Sequence, residues 1–165
     1  MNSKMTLNQL YIRLQNIEDK IADNTYVADK LAFVAKGSNP EISFEDLQGE
    51  YLELSKEKTD LLVLAERALL SNLVDIEDAN DGEAKRVTLK EVKLTLDANI
   101  AFISRLKRVR NDYYDSFSNE PINDVEIEPN FDPSVLNETI SAVEDRIEYL
   151  TNVFQMASVQ IDVGE

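Results

Sequence analysis

From Leu136 to Ala157 the apolar residues fall at heptad spacing: Leu136, Ile140, Val143, Ile147, Leu150, Phe154 and Ala157. Steps of four and three repeat without a break, so one helix face carries a continuous apolar stripe. Near the N-terminus Leu7, Leu10, Leu14, Ile17, Ile21, Ala28 and Leu31 keep the same spacing. Water penalises such a face until another helix covers it. The pattern predicts an all-α protein of long antiparallel helical hairpins, a coiled-coil-like bundle of about four helices. It constrains architecture and partners, and says little about chemistry.

Local signals place the helices at about 6–36, 44–78, 88–117 and 133–158, within one domain covering residues 1–165. Thr6-x-x-Gln9 and Thr88-x-x-Glu91 are capping boxes, in which each side chain satisfies a backbone donor at a helix start. Ser43 precedes Glu45 and Asp46, acids that complement the positive end of a helix dipole. Asp132-Pro133 supplies an N-cap followed by proline at the first helical position. Gly37-Ser38-Asn39-Pro40 stops the first helix.

The inner face of the second helix reads Phe44, Leu47, Tyr51, Leu54, Leu61, Ala65, Leu69, Leu73 and Ile76, with Lys58 interrupting. That of the third reads Leu89, Val92, Leu96, Ile103, Leu106 and Tyr113. Residues 118–132 contain Pro121 and Pro129 and have no helical period, so they are read as an irregular loop. Within it Val125-Glu126-Ile127-Glu128 alternates like a short extended segment, as does the tail Val159–Val163.

The chain has neither Cys nor His. Disulfides, thiol chemistry and zinc sites built on those residues are therefore excluded. Without them a Ser or Thr nucleophile lacks its usual activating base, and no Gly-rich phosphate loop is present. The expectation is a protein that is not an enzyme, with no catalytic, cofactor-binding or metal-binding residues. No apolar run reaches the ~20 residues of a membrane span. The N-terminal Met-Asn-Ser-Lys-Met lacks the apolar stretch of a signal peptide, so the cytoplasm is the expected location.

Net charge is −15, from 17 basic and 32 acidic residues, and it is unevenly spread. Residues 84–111 hold eight basic and two acidic groups, a balance of +6; residues 112–165 hold one basic and thirteen acidic groups, a balance of −12. A basic helix followed by an acidic loop and helix can pair within a subunit or between subunits. A homo-oligomer is the partner reading that this asymmetry favours, with another protein as the alternative.

Thr88-Leu89-x-Glu91, then Asp97, Ile103, Ser104 and Leu106, resembles the helix after the second loop in the septicolysin-like family. The resemblance continues through Asp132, Leu136, Ile140, Val143, Ile147, Leu150, Phe154 and Gln155 to Asp162-Val163. It is strongest over residues 88–163 and reaches the first two helices by pattern. Val159 stands where the family has an aromatic residue, and Ser71-Asn72 where it has an Asn/Thr-rich helix end. The resemblance implies an all-helical, oligomeric protein without established catalytic residues. The family name further implies a membrane-active cytolysin.

Several residues merit a functional reading beside a plainer one. The stripe of the fourth helix (Leu136, Ile140, Val143, Ile147, Leu150 and Phe154) is the candidate helix interface. Asn24 and Asn99 fall at core-type heptad positions, where a buried Asn can fix register and oligomer state. The favoured alternative is that each stripe turns to solvent there, because a straight helix drifts against a seven-residue repeat. On the register reading, Asn24→Leu raises thermal stability and blurs the oligomeric state.

Glu50, Glu53, Glu57 and Asp60 share a face, but Lys56 and Lys58 are interleaved, so a solvated acidic face is favoured over magnesium. Glu77–Gly82 has the glycine of a calcium loop, but Ala79 and Thr88 fall where ligands are required. Arg105, Lys107, Arg108 and Arg110 are the candidate charged interface. With Tyr113 and Tyr114 nearby they could contact nucleic acid, which the acidic pI of 4.4 disfavours. The acidic balance also fits an inhibitor, phage-encoded and DNA-mimicking, of a nucleic-acid enzyme.

Overall fold

Eight elements follow one another as β1 (Met5–Thr6), α1 (Leu7–Leu31), α2 (Phe44–Ser71), β2 (Leu73–Glu77), β3 (Ala84–Thr88), α3 (Leu89–Ser118), α4 (Pro133–Gln160) and β4 (Asp162–Val163). The computed structural model describes residues 5–31, 33, 42–78, 82–118 and 131–163. The fold is mostly helical, and its four helices pack as two hairpins, α1 with α2 and α3 with α4. Contacts divide the chain into one unit of residues 1–73 with 156–165 and another of residues 74–155.

In the first unit the predicted N-terminal stripe meets its complement inside the same chain. Leu7, Leu10, Leu14 and Ile17 of α1 are buried, as are Leu47, Leu54, Leu61, Ala65, Ala68 and Leu69 of α2. The pairs across the hairpin show that the helices run antiparallel. Arg13 Nη2 lies 2.6 Å from Glu57 Oε1, and Lys58 Nζ lies 2.9 Å from Glu18 Oε1. Asn24 reaches Leu47, earlier still in α2. Lys58, which interrupts the inner face, is half-buried, and its ammonium reaches Glu18.

Both ends of this unit are tied together. β1 and β4 pair antiparallel, Met5 opposite Val163 and Thr6 opposite Asp162. The Leu7 amide, an orphan donor at the start of α1, donates to the Ile161 carbonyl at 2.9 Å. The predicted Thr6 capping box forms: Thr6 N–H donates to Gln9 Oε1 (2.9 Å) and Gln9 N–H to Thr6 Oγ1 (3.2 Å). Ser43 and Asp46 make the equivalent reciprocal pair at the start of α2. Of the tail expected to be extended, Val159 and Gln160 stay helical, and only Asp162–Val163 form a strand.

The second helix does not reach residue 78. It ends at Ser71, and Leu73 and Ile76 lie on β2 rather than on a helix face. Asn72 stops it by turning extended (φ −103°, ψ 128°) and directing both its backbone N–H (3.3 Å) and its Nδ2 (2.8 Å) to the Ala68 carbonyl. β2 pairs with β3, and so short a connection requires an antiparallel hairpin. Asp78 N–H donates to Glu83 O (2.9 Å) and Gly82 N–H to Asp78 O (3.0 Å). Gly82 closes the turn at φ +71°, a left-handed value costly for other L-residues. The glycine of the supposed calcium loop is thus a turn residue.

In the second unit the buried apolar residues are Ile76 and Val87 of the strands, Leu89, Val92 and Ile103 of α3, and Ile140 and Leu150 of α4. Glu77 N–H donates to the Tyr149 hydroxyl at 2.9 Å, joining β2 to α4. Thr88 N–H donates to Glu91 Oε2 (2.7 Å) and Glu91 N–H to Thr88 Oγ1 (3.2 Å), so the second predicted capping box also forms. Asp132 caps α4 as predicted, accepting from Ser134 N–H at 2.8 Å with Pro133 as first helical residue. The predicted end of the first helix at 36 and the extended segment 125–128 lie outside the described residues.

Candidate interaction surfaces

Asn24 does not turn to solvent. It is 7% exposed, and its Nδ2 donates to the Leu47 carbonyl (3.1 Å) and to Glu50 Oε2 (3.0 Å). The plainer reading of this residue is therefore corrected: the stripe passes through position 24 with a polar residue in it, and α2 supplies the partners. One of those partners is a carboxylate, which strengthens the bond. Asn99 behaves differently. It is half-buried, and its Nδ2 bonds back to Thr95 O within its own helix at 2.8 Å.

The candidate helix interface on α4 faces its own chain. Ile140 and Leu150 are buried, while Leu136, Val143, Ile147 and Phe154 are half-buried. The cover over the part in the second unit is α3, as one pair between the helices and one at the entry to α4 show. Tyr113 packs edge-on to Phe131 with ring centroids 5.7 Å apart, and Lys107 Nζ lies 2.8 Å from Glu144 Oε1. That pair realises the predicted meeting of basic and acidic helices inside one subunit. It involves only one of the four basic residues, however. Arg105 and Arg108 are exposed and Arg110 is half-buried.

The acidic face of α2 is partly committed to α1. Glu50 accepts from Asn24 and Glu57 from Arg13 Nε at 2.8 Å. Among the described residues no group of three or more acidic side chains converges as a metal site would require. None of the described helices is long and apolar enough to cross a membrane.

Among the described residues, the two larger open clefts each lie within one unit. One of about 520 Å³ sits between α1 and α2, lined by Asn24, Ala28, Phe44, Leu47 and Tyr51 among others. The other, of about 550 Å³, lies between Leu106 and Val109 of α3 and Phe131, Val135 and Leu136. Both linings are mostly apolar. Neither gathers the convergent polar groups that orient a small-molecule substrate.

The outward faces carry more apolar surface than a solvated helix needs. On α3, Leu94 is 55% exposed, Phe102 46% and Val109 44%. On α2, Leu52, Val63 and Leu70 are exposed in the same way. Single exposed apolar residues are ordinary, but rows of them along a helix mark surfaces that bind. The rows were missed in the sequence because the inner stripes explain each helix adequately, and a second stripe shows only once the first is assigned.

This fold has been seen before. The chain is similar to a solved structure described as a functionally unknown conserved protein from Corynebacterium diphtheriae, with a TM-score of 0.82 and 13% identity. The match covers 98% of this chain and 100% of that one. What the two share is the fold. No protein-family model and no curated protein matches the chain.

Proposed function

We propose that this chain is a non-enzymatic, cytoplasmic interaction protein that assembles with copies of itself through the outward faces of its helices. The observation that carries this reading is the row of exposed apolar side chains on α3, at Leu94, Phe102 and Val109. The inner stripes are already covered within the chain, so association has to use other faces. Charge supports the same reading: α3 carries both acid, at Asp97, and base, at Arg105 and Arg108, so a second copy offers complementary groups to the same helix. Light scattering at micromolar concentration tests the reading. A mass above that of one chain is expected, and a clean monomer overturns it.

A second reading follows from the resemblance to the septicolysin-like family over residues 88–163. On that reading the exposed apolar rows meet a lipid surface, and the protein is membrane-active. It predicts dye release from vesicles at physiological salt, and no release over a broad protein range removes it. The acidic inhibitor remains a third proposal, supported by the pI of 4.4. It predicts that a nuclease, polymerase or restriction subunit is recovered from host lysate in stoichiometric amount.

A further inference from the structure

We infer that α3 pairs antiparallel with α3 of a second copy, about a two-fold axis passing close to Ala101. This rests on the self-assembly proposed above and names the surface that performs it. The inner stripe of α3 runs Leu89, Val92, Leu96, Asn99, Ile103, Leu106, Arg110 and Tyr113, and every one of these residues is buried or half-buried. Moving two residues along a helix rotates by about 200°, so the positions two further on lie on the opposite side. Those positions are Glu91, Leu94, Ala98, Ala101, Arg105, Arg108, Asp112 and Asp115, and all are exposed. They repeat the spacing of four and three, so α3 carries two heptad faces back to back. One is covered by its own chain and the other is open.

The composition of the open face selects its occupant. Its centre, Ala98 and Ala101, is small, which permits close approach of two helices, with Phe102 beside it. Its two ends are unlike: the N-terminal half carries Leu94 with Asp97 at its edge, and the C-terminal half carries Arg105 and Arg108 ahead of Asp112. An antiparallel copy centred on Ala101 sets residue 97 opposite residue 105 of the partner, and residue 105 opposite residue 97. Asp97 and Arg105 are then paired twice across the axis. A parallel copy would set Arg105 against Arg105 and Asp97 against Asp97. Within its own helix Asp97 pairs only with Lys93, at 2.8 Å, and both side chains keep substantial exposure. Such a pair leaves carboxylate oxygen free to accept a bidentate guanidinium.

The absence of cysteine from the chain gives a direct test. Ala101→Cys introduces a single thiol, which can bridge two copies only where the two Cα atoms come within roughly 7 Å. Helices crossing at small residues, with axes about 8 Å apart, meet that limit at the two-fold axis and nowhere else on the face. Ala142→Cys, at an exposed position on α4, serves as the collision control. Mild oxidation is expected to convert Ala101→Cys to a covalent dimer at least tenfold faster than Ala142→Cys. Arg105→Asp and Asp97→Arg should each raise the dimer dissociation constant at least tenfold, and the double variant should return it to within about threefold of the parent.

A dimeric or larger parent whose Ala101→Cys variant oxidises no faster than the control overturns this inference while leaving self-assembly standing. Failure of the double variant to restore the dimer, with helical content unchanged by circular dichroism, overturns it as well. A parent that is monomeric at micromolar concentration overturns both.

Discussion

α1 and α4 carry the same seven-residue apolar spacing, yet they bury it unequally. In α1 the residues Leu7, Leu10, Leu14 and Ile17 are buried in unbroken succession. In the stretch of α4 that faces α3, only Ile140 and Leu150 reach that state, and Leu136, Val143 and Ile147 stop halfway. The difference lies in the helices opposite. α2 answers α1 with Leu54, Leu61, Ala65, Ala68 and Leu69, a row of close-packing residues. α3 answers α4 with buried Leu89, Val92 and Ile103, but with Leu96, Asn99, Leu106 and Arg110 at half-buried positions between and beyond them, where polar groups must keep contact with solvent or with their own backbone. A heptad stripe announces that a face will be covered; the partner helix decides how well.

The sharpest way to break this comparison is truncation at matched stripe positions. Leu10→Ala removes a fully buried side chain and should cost about 3 kcal/mol, a transfer loss plus an unfilled cavity. Leu136→Ala, at a half-buried position, should cost about 1 kcal/mol, because part of that side chain already meets water. Urea unfolding monitored by circular dichroism gives both values. Equal losses would show that exposure does not measure how tightly the two hairpins are packed.

Asn24 sharpens the comparison from the polar side. Each hairpin holds an Asn in a stripe position, but only Asn24 is buried against the opposite helix. Asn24→Asp keeps the shape, removes the donor and sets a second carboxylate about where Nδ2 now lies, 3.0 Å from Glu50 Oε2. A loss of about 2 kcal/mol at neutral pH is expected. The new carboxyl would have a raised pKa in the folded protein, because burial and Glu50 both oppose its charge. Its penalty should therefore shrink as pH falls through that value, where the proton restores a donor. Asn99→Asp, on a side chain bonded only to its own helix, should change stability by less than about 0.5 kcal/mol. A penalty at Asn24 that persists unchanged at low pH would remove the carboxylate explanation.

These contrasts show which features were legible in the sequence. The caps at Thr6, Ser43, Thr88 and Asp132 were readable because each is a local event, completed within three or four residues. The β2–β3 hairpin was not, because Leu73 and Ile76 follow Leu69 at steps of four and three and so continue the helical period of α2. The better signals were Asn72 and the β-branched Val74, Ile76, Val87 and Thr88 on either side of a glycine turn. Asn24 was misread for a different reason. Spacing identifies a core position, but only the neighbouring helix can show whether a polar residue there has partners. The open face of α3 lay in the sequence too, offset by two residues from the stripe that had already accounted for the helix.

The helix caps provide a finer comparison, because both hairpins use the same device with different acceptors. Gln9 is neutral and closes the box of α1, whereas Glu91 is charged and closes that of α3. The Thr88 N–H, then the Thr88 hydroxyl, hold the Glu91 carboxyl below its ordinary value of 4.5, with Lys85 adding to the effect. A depressed carboxylate contributes stability that is complete above the unfolded value and disappears as pH falls through the folded one. Thr88→Ala removes one of the two groups that hold Glu91 ionised, so it should destabilise the protein at pH 7, and less so as pH falls through the depressed Glu91 value and the carboxylate takes up a proton. Thr6→Ala should cost a similar amount that does not vary over the same pH interval, since Gln9 does not titrate. The readout is the difference between the two variants as pH is lowered. If both losses fade together, the pH dependence comes from elsewhere in an acidic chain and not from the Thr88–Glu91 box.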